Sequence, residues 1–309
     1  MKNEIENLAW TIYWAEDHLQ SFVATDGDAD KHPLNSIWQE FARSLNDGAK
    51  VLDLATGNGA VPVALLSARE QLKIDAVDQA AIDPIQFVKG VTELEAVNFH
   101  PDIDLNTLPF TSDSFDAITS QFGIEYAGLL EATGKALEVL KTNGRMSFLI
   151  HHADSAIIDS SRAKLREMEQ LLKQGGLIET LLQVLRGTIE FSELESQGAV
   201  YLNADIVRTQ AISGQVFTGI GEIANAMQTD MARAVNLGAT IKLRLSSEHE
   251  RLKQMGKAAQ SNADMIEYRK LLELNGIELS TMQAIYADES DQKYLLAWLV
   301  QGQKKTLNG

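Results

Sequence analysis

The sequence predicts a doubly wound α/β fold: a mostly parallel seven-stranded sheet, with a large helical insertion before its last strands. Three observations predict it. Five short β-runs alternate with helical or loop segments between residues 50 and 151. A block of helical periodicity without strands follows, from 155 to 261. Two more β-runs close the chain. Strands that alternate with helices at this spacing form βαβ units, and their parallel sheet is covered on both faces.

Residues 4–24 read as one or two helices, because Leu8, Ile12, Ala15, Leu19 and Phe22 recur every three or four positions. Residues 25–30 are polar and turn-rich, which predicts a loop. Residues 34–45 predict a helix with Ile37, Trp38, Phe41 and Leu45 on one side and Gly48 as its stop. The five β-runs are 50–54, 72–77, 96–100, 115–121 and 145–151. Helices are expected at 60–69, 83–93 and 129–140, the last stopped by Asn143-Gly144. Residues 155–185 read as helical, 187–200 as irregular and 203–260 as mainly helical. The stripe Ile220, Ile223, Ala224, Met227, Met231 and Val235 reads as core of the insertion. Ser247-Glu248-His249-Glu250 reads as a capping box that opens a further helix. Asn262 is the expected cap of the last helix, and Gly276 its left-handed end. The β-runs 277–286 and 293–301 are expected to pair as a hairpin through the acidic turn 287–291. The expected organisation is an N-terminal helical lid at 1–47, an α/β core at 48–154 and 262–309, and a helical cap at 155–261.

Composition narrows the function. Forty-three acidic and 27 basic residues give a net charge of −16, which argues against nucleic acid as a partner, since that affinity rests on Lys and Arg neutralising phosphates. With no cysteine in the chain, disulfides, thiolate metal sites and cysteine nucleophiles are excluded, and no metal site is expected. The N-terminus lacks a basic region followed by an apolar stretch, and no window is long and apolar enough to span a membrane. A cytoplasmic protein is the expectation.

The candidate site is KVLDLATGNGAVPVAL at 50–65. A strand ends at Asp53 and passes through a small-residue turn into a helix. Glycines let a ligand approach the backbone closely, and the helix start offers unpaired N–H groups. Pro62 suits a first helical turn. The turn is not GxGxxG, because Ala60, Val61 and Pro62 follow Gly59, and no GK[ST] ending makes it a P-loop. In an open α/β sheet the ligand lies outside the carboxyl ends of the strands.

With its partners, this stretch resembles the class I S-adenosylmethionine-dependent methyltransferases. Val51 to Gly59 is similar to the family's VLDxGxGxG, with Ala55 where glycine is frequent. Asp78, after Ala76-Val77, matches the acidic residue that grips the ribose hydroxyls. Asp104 and Leu105 resemble the pair at the adenine. Ser114 to Gln121 resembles the fourth-strand motif, and Ala136 to Arg145 the helix-to-β5 segment ALxxLKPGGR, with Thr142-Asn143 in place of Pro-Gly. The resemblance covers 48–152 and 262–301, not the helical block.

The resemblance implies transfer of a methyl group from S-adenosyl-L-methionine, leaving S-adenosyl-L-homocysteine. It implies cofactor contacts at Asp53, Ala55, Gly57, Asn58, Gly59, Asp78, Gln79, Asp104, Leu105, Gln121 and Phe122. Asp116 is expected to buttress the sheet. The acceptor is expected to be an oxygen or nitrogen nucleophile of a small molecule, which favours a general base. His151, His152 and Glu125 are the candidates, since histidine titrates near neutrality. Tyr13, Trp14 and Tyr126 are the candidate substrate contacts, and Trp10 and His18 join the first two as a lid. The helical insertion is expected to cap the sheet's carboxyl edge, and a homodimer through it stays open. Three rivals remain: a silent scaffold that only binds S-adenosylmethionine, an enzyme using a derivative of it for another transfer, and a nicotinamide oxidoreductase.

Overall fold

A computed structural model describes residues 2–19, 33–289 and 292–306. The expected loop at 25–30 and the last two residues of the acidic turn lie outside them. The chain divides into two compact units: residues 1–9 with 159–256, and residues 10–158 with 257–309. The stretch 1–47, expected as one lid, therefore divides between them, and its second helix belongs wholly to the larger unit.

The larger unit holds a seven-strand sheet among the described residues, in the order β3-β2-β1-β4-β5-β7-β6. The strands are β1 (Lys50–Leu54), β2 (Lys73–Val77), β3 (Val97–His100), β4 (Phe115–Gln121), β5 (Leu140–His151), β6 (Ile277–Glu289) and β7 (Gln292–Lys304). The first five run parallel; β7 is antiparallel to both β5 and β6. The expected hairpin is thus formed, with β7 inserted between β5 and β6.

Because side chains alternate across a strand, each strand feeds two cores. Leu52, Ile118, Phe148 and Val300 face one side, where helix α5 (Leu129–Val139) brings Ala132, Ala136 and Leu137, and α11 (Asn262–Leu274) brings Tyr268 and Leu272. Val51, Ala117, Leu149 and Leu299 face the other, under α2 (Pro33–Arg43) with Trp38 and Phe41, and α3 (Ala60–Ala68) with Val61 and Leu65. This parity decides which side each strand-end residue faces. Helix α1 (Lys2–Trp14) crosses from one unit to the other at Ala9/Trp10.

Several expectations are corrected. The helix expected at 83–93 is a single turn, α4 (Pro84–Phe87), followed by a 3-10 turn at Thr92–Ala96; Gly90 between them takes a positive φ of 78° that a helix cannot continue through. β5 starts at Leu140, before the supposed Asn143-Gly144 stop, because Asn143 absorbs the irregularity at a φ of 64°. The last helix is capped by Ser261, in a reciprocal capping box with Asp264, one residue before the expected Asn262.

The smaller unit is helical. Its elements are most of α6 (Ala156–Leu172), then α7 (Leu177–Leu185), α8 (Phe191–Asn203), a π turn at Gln210–Gly214, α9 (Gln215–Met227) and most of α10 (Met231–Ala258). The segment expected to be irregular at 187–200 contains α8, which buries Leu194 and Tyr201. Ser247 lies inside α10 and opens no new helix; Glu248 instead pairs with Arg251 one turn on. Ile223 is buried, but Met231 and Val235 are exposed, because the break between α9 and α10 rotates the stripe out of register. Glu167, buried, accepts from the backbone N–H groups of Thr209 and Ser213 and closes the π turn.

Candidate active site

The carboxyl ends of β1, β2, β4 and β5 bring the site together. After β1 the backbone turns left-handed three times, with φ of 53° at Ala55, 54° at Gly57 and 86° at Gly59. Glycine takes such angles freely, whereas alanine is strained there. The Ala55 methyl is accommodated by Gly123, where a Cβ would stand 2.4 Å from it.

Asp53 and Asp78 are both buried. Asp53 Oδ1 accepts from the Thr119 hydroxyl at 2.7 Å, from the β4 residue directly in register with it. The Thr56 hydroxyl lies close enough to favour the carboxylate, yet outside hydrogen-bonding geometry, so Oδ2 is left without a partner. Burial pushes the Asp53 carboxyl up to about 7, against the pull of these hydroxyls, and the nearby Asp78 adds to the rise. Asp78 braces the turn: Oδ2 accepts from Gly57 N–H at 2.8 Å and Oδ1 from Ala80 N–H at 2.8 Å. Burial nevertheless raises it to about 6.

The remaining expected cofactor contacts divide. Gln121 and Phe122 line a small cavity with Trp10, Trp14, Asp53 and Ala55. The Gln121 carbonyl oxygen is held at 2.6 Å by the Trp38 indole N–H. Gln79 is exposed at the end of β2. Asp104, also exposed, caps a 3-10 turn by accepting from Asn106 N–H, and Leu105 is buried in the core on the α5 face. The Asn58 amide turns to α1, donating to Trp14 O at 3.0 Å and His18 O at 2.8 Å. Asp116 accepts from Lys50 N–H and Lys141 Nζ at the opposite end of the sheet.

The two strand-end histidines face opposite ways, as their parity requires. His151 is buried against Glu125, whose Oε1 lies 2.8 Å from Nδ1 and also accepts the His151 backbone N–H at 2.9 Å. Glu125 Oε2 is buried and has no partner. The rings of Phe122 and Tyr126 stand 4.4 and 5.9 Å from His151, and Trp10 meets Tyr126 edge-on at 5.2 Å. Tyr13 packs on Trp10, Trp14 and His18. His152 instead stacks on Trp298 at 4.5 Å, and its Nδ1 accepts from Asp154 N–H. Burial lowers its pKa. Thr119 and Trp38, which fix Asp53 and Gln121, carry no signal in the sequence as site residues. Their roles depend on strand register and helix docking.

The ubiE/COQ5 methyltransferase family model matches residues 31–159, the stretch that holds β1 to β5 and the strand-end residues of the site. Over that stretch the chain is similar to the ubiE/COQ5 methyltransferases. One feature of the α/β core suits the cationic, methionine-bearing end of S-adenosylmethionine. Asp53 supplies a buried carboxylate oxygen with no partner, beside the glycine turn. No curated protein sequence matches the chain. Solved structures similar to it include a methyltransferase from Methanosarcina mazei, 11% identical, covering 89% of this chain and 99% of that one at a TM-score of 0.44. A second, from Aquifex aeolicus, is 12% identical, with 90% and 99% covered at 0.42. A third is the geranyl diphosphate C-methyltransferase of Streptomyces coelicolor A3(2), in complex with S-adenosyl-L-homocysteine. It is 15% identical, with 47% and 63% covered at 0.36.

Among the described residues no group of acidic and histidine side chains could hold a metal ion, and no helix is long and apolar enough to cross a membrane.

Proposed function

We propose that this protein is an S-adenosylmethionine-dependent methyltransferase that methylates an oxygen or nitrogen nucleophile of a small molecule, with His151 as the general base. Bound S-adenosylmethionine supplies an electrophilic methyl carbon on a sulfonium. Asp53 Oδ2 receives the ammonium of its methionine part, which removes the cost of an unpartnered buried carboxylate. Asp78 accepts from the ribose hydroxyls with the lone pairs that its two backbone partners leave. Asp104 and Leu105 border the adenine.

The observation that carries the reading is the Glu125–His151 pair, buried at the end of β5. With Nδ1–H donating to the Glu125 carboxylate, Nε2 carries the free lone pair and faces the acceptor. Nε2 takes the proton of the acceptor's hydroxyl or amine, and Glu125 stabilises the imidazolium that forms. Phe122, Tyr126 and Trp10 exclude water around that nitrogen. The acidic net charge favours a small molecule over nucleic acid. Tyr13 and Tyr126 contact the acceptor.

The test is methyl transfer to a panel of small hydroxyl and amine compounds, led by those that co-purify with the protein. His151→Gln should lose turnover and keep S-adenosylhomocysteine binding. Binding without turnover on any compound would favour the silent scaffold. Turnover unchanged in His151→Gln would remove the base from the mechanism.

A further inference from the structure

The cavity at the carboxyl end of β1 has a volume of only 30 Å³. That is about the space of one water, whereas pockets for small ligands run from roughly 300 Å³ upward. What fills the rest is the segment from Trp10 to Leu19. The Trp14 indole lies in the notch above Gly57, so that a Cβ there would stand 2.3 Å from its Cζ2. Trp10 stacks on Trp14 at 6.3 Å. The notch that would clear space for the methionine end of the cofactor therefore holds a tryptophan.

Specific bonds fasten this segment to the core. Asn58, fully buried, donates through Nδ2 to the Trp14 carbonyl, which the ending helix leaves unsatisfied, and to the His18 carbonyl four residues beyond it. Ala81 N–H donates to Thr11 Oγ1 at 3.1 Å, and Lys89 N–H to Asp17 Oδ1 at 3.2 Å. Asn58 stands between Gly57 and Gly59, so the same turn that receives the cofactor also grips the strap.

We propose that residues 10–19 form a strap latched by Asn58, with Trp14 holding the methionine subsite, and that the cofactor binds only after the strap lifts. Asn58 is then a positioning residue for α1. The inference rests on the S-adenosylmethionine assignment. It makes a definite kinetic statement. A site that must open first binds no faster than it opens, and its apparent affinity is reduced by the fraction open.

The test measures S-adenosylhomocysteine binding to the immobilised full chain by surface plasmon resonance, for wild type, Thr11→Val, Asn58→Asp and Trp14→Ala. Thr11→Val removes a strap bond without touching the glycine turn, and Asn58→Asp replaces the donor with an oxygen that cannot bond two carbonyls. The wild-type association rate should level off as ligand concentration rises. Thr11→Val and Asn58→Asp should raise that plateau at least fivefold, and Trp14→Ala should abolish it. Ligand should also raise amide exchange across 10–18 in the wild type. Association linear in ligand and equal in wild type and Thr11→Val, or exchange unchanged by ligand, would overturn the strap and leave the cofactor assignment standing. No binding by any of the four proteins would overturn both.

Discussion

Asp53→Asn offers a quantitative test of the buried carboxylate. Burial carries the Asp53 carboxyl from 3.8 to about 7. The folded chain then keeps a proton that the unfolded chain has already released. Stability is lost as pH climbs from the unfolded pKa toward the folded one, and the penalty is constant above it. Integrated from pH 5 to pH 8, that loss is about 2.5 kcal/mol. Asparagine preserves an acceptor for the Thr119 hydroxyl and removes the titration. The stability of Asp53→Asn minus that of wild type should therefore rise by about 2.5 kcal/mol between pH 5 and pH 8. Urea unfolding at the two pH values gives the difference, in which the carboxylates not coupled to Asp53 cancel. The signal is specific, because Trp10, Trp14, Trp38 and Trp298 all lie in the α/β unit, so their emission follows that unit alone. A difference that is flat or falls with pH would refute a desolvated, unpartnered Asp53.

Three further outcomes follow from the same geometry. An ammonium received by Asp53 favours its ionised form, so cofactor binding at pH 7 should release about half a proton. Calorimetry in two buffers of different ionisation enthalpy measures it. Gly123→Ala should cost about 2 kcal/mol through its clash with the Ala55 methyl. Ala55→Gly, which relieves a φ of 53° worth about 1 kcal/mol, should recover most of that loss in the double variant, read by urea midpoints. Glu125→Gln should lower turnover at least tenfold and shift its pH profile, while S-adenosylhomocysteine affinity stays within twofold by calorimetry.

Much of the core was legible. β1, β2 and β4 are marked by apolar runs that end at Asp53, Asp78 and Gln121, and the glycine turn names its own position. Gly90 already argued against a helix running through 83–93, and the period of the apolar residues hid it. The stripe at 220–235 misled for a different reason. Periodicity assumes one continuous helix, and the break at Thr229-Asp230 rotates Met231 and Val235 into solvent. At the site, Asp53 and Asp78 could be read from the strand ends. Thr119 could not, because it meets Asp53 through strand register across 66 positions of sequence.

The sequence by itself determined the βαβ core and the turn at 55–59, because these depend on local spacing and on which residues tolerate a left-handed backbone. The tertiary structure alone decided how His151 and His152 part. They are adjacent in sequence, but strand alternation sends one to Glu125 and the other to Trp298. It also decided what Asn58 does. Within the turn it reads as one more cofactor contact, and its amide instead holds the end of a helix more than 40 positions upstream.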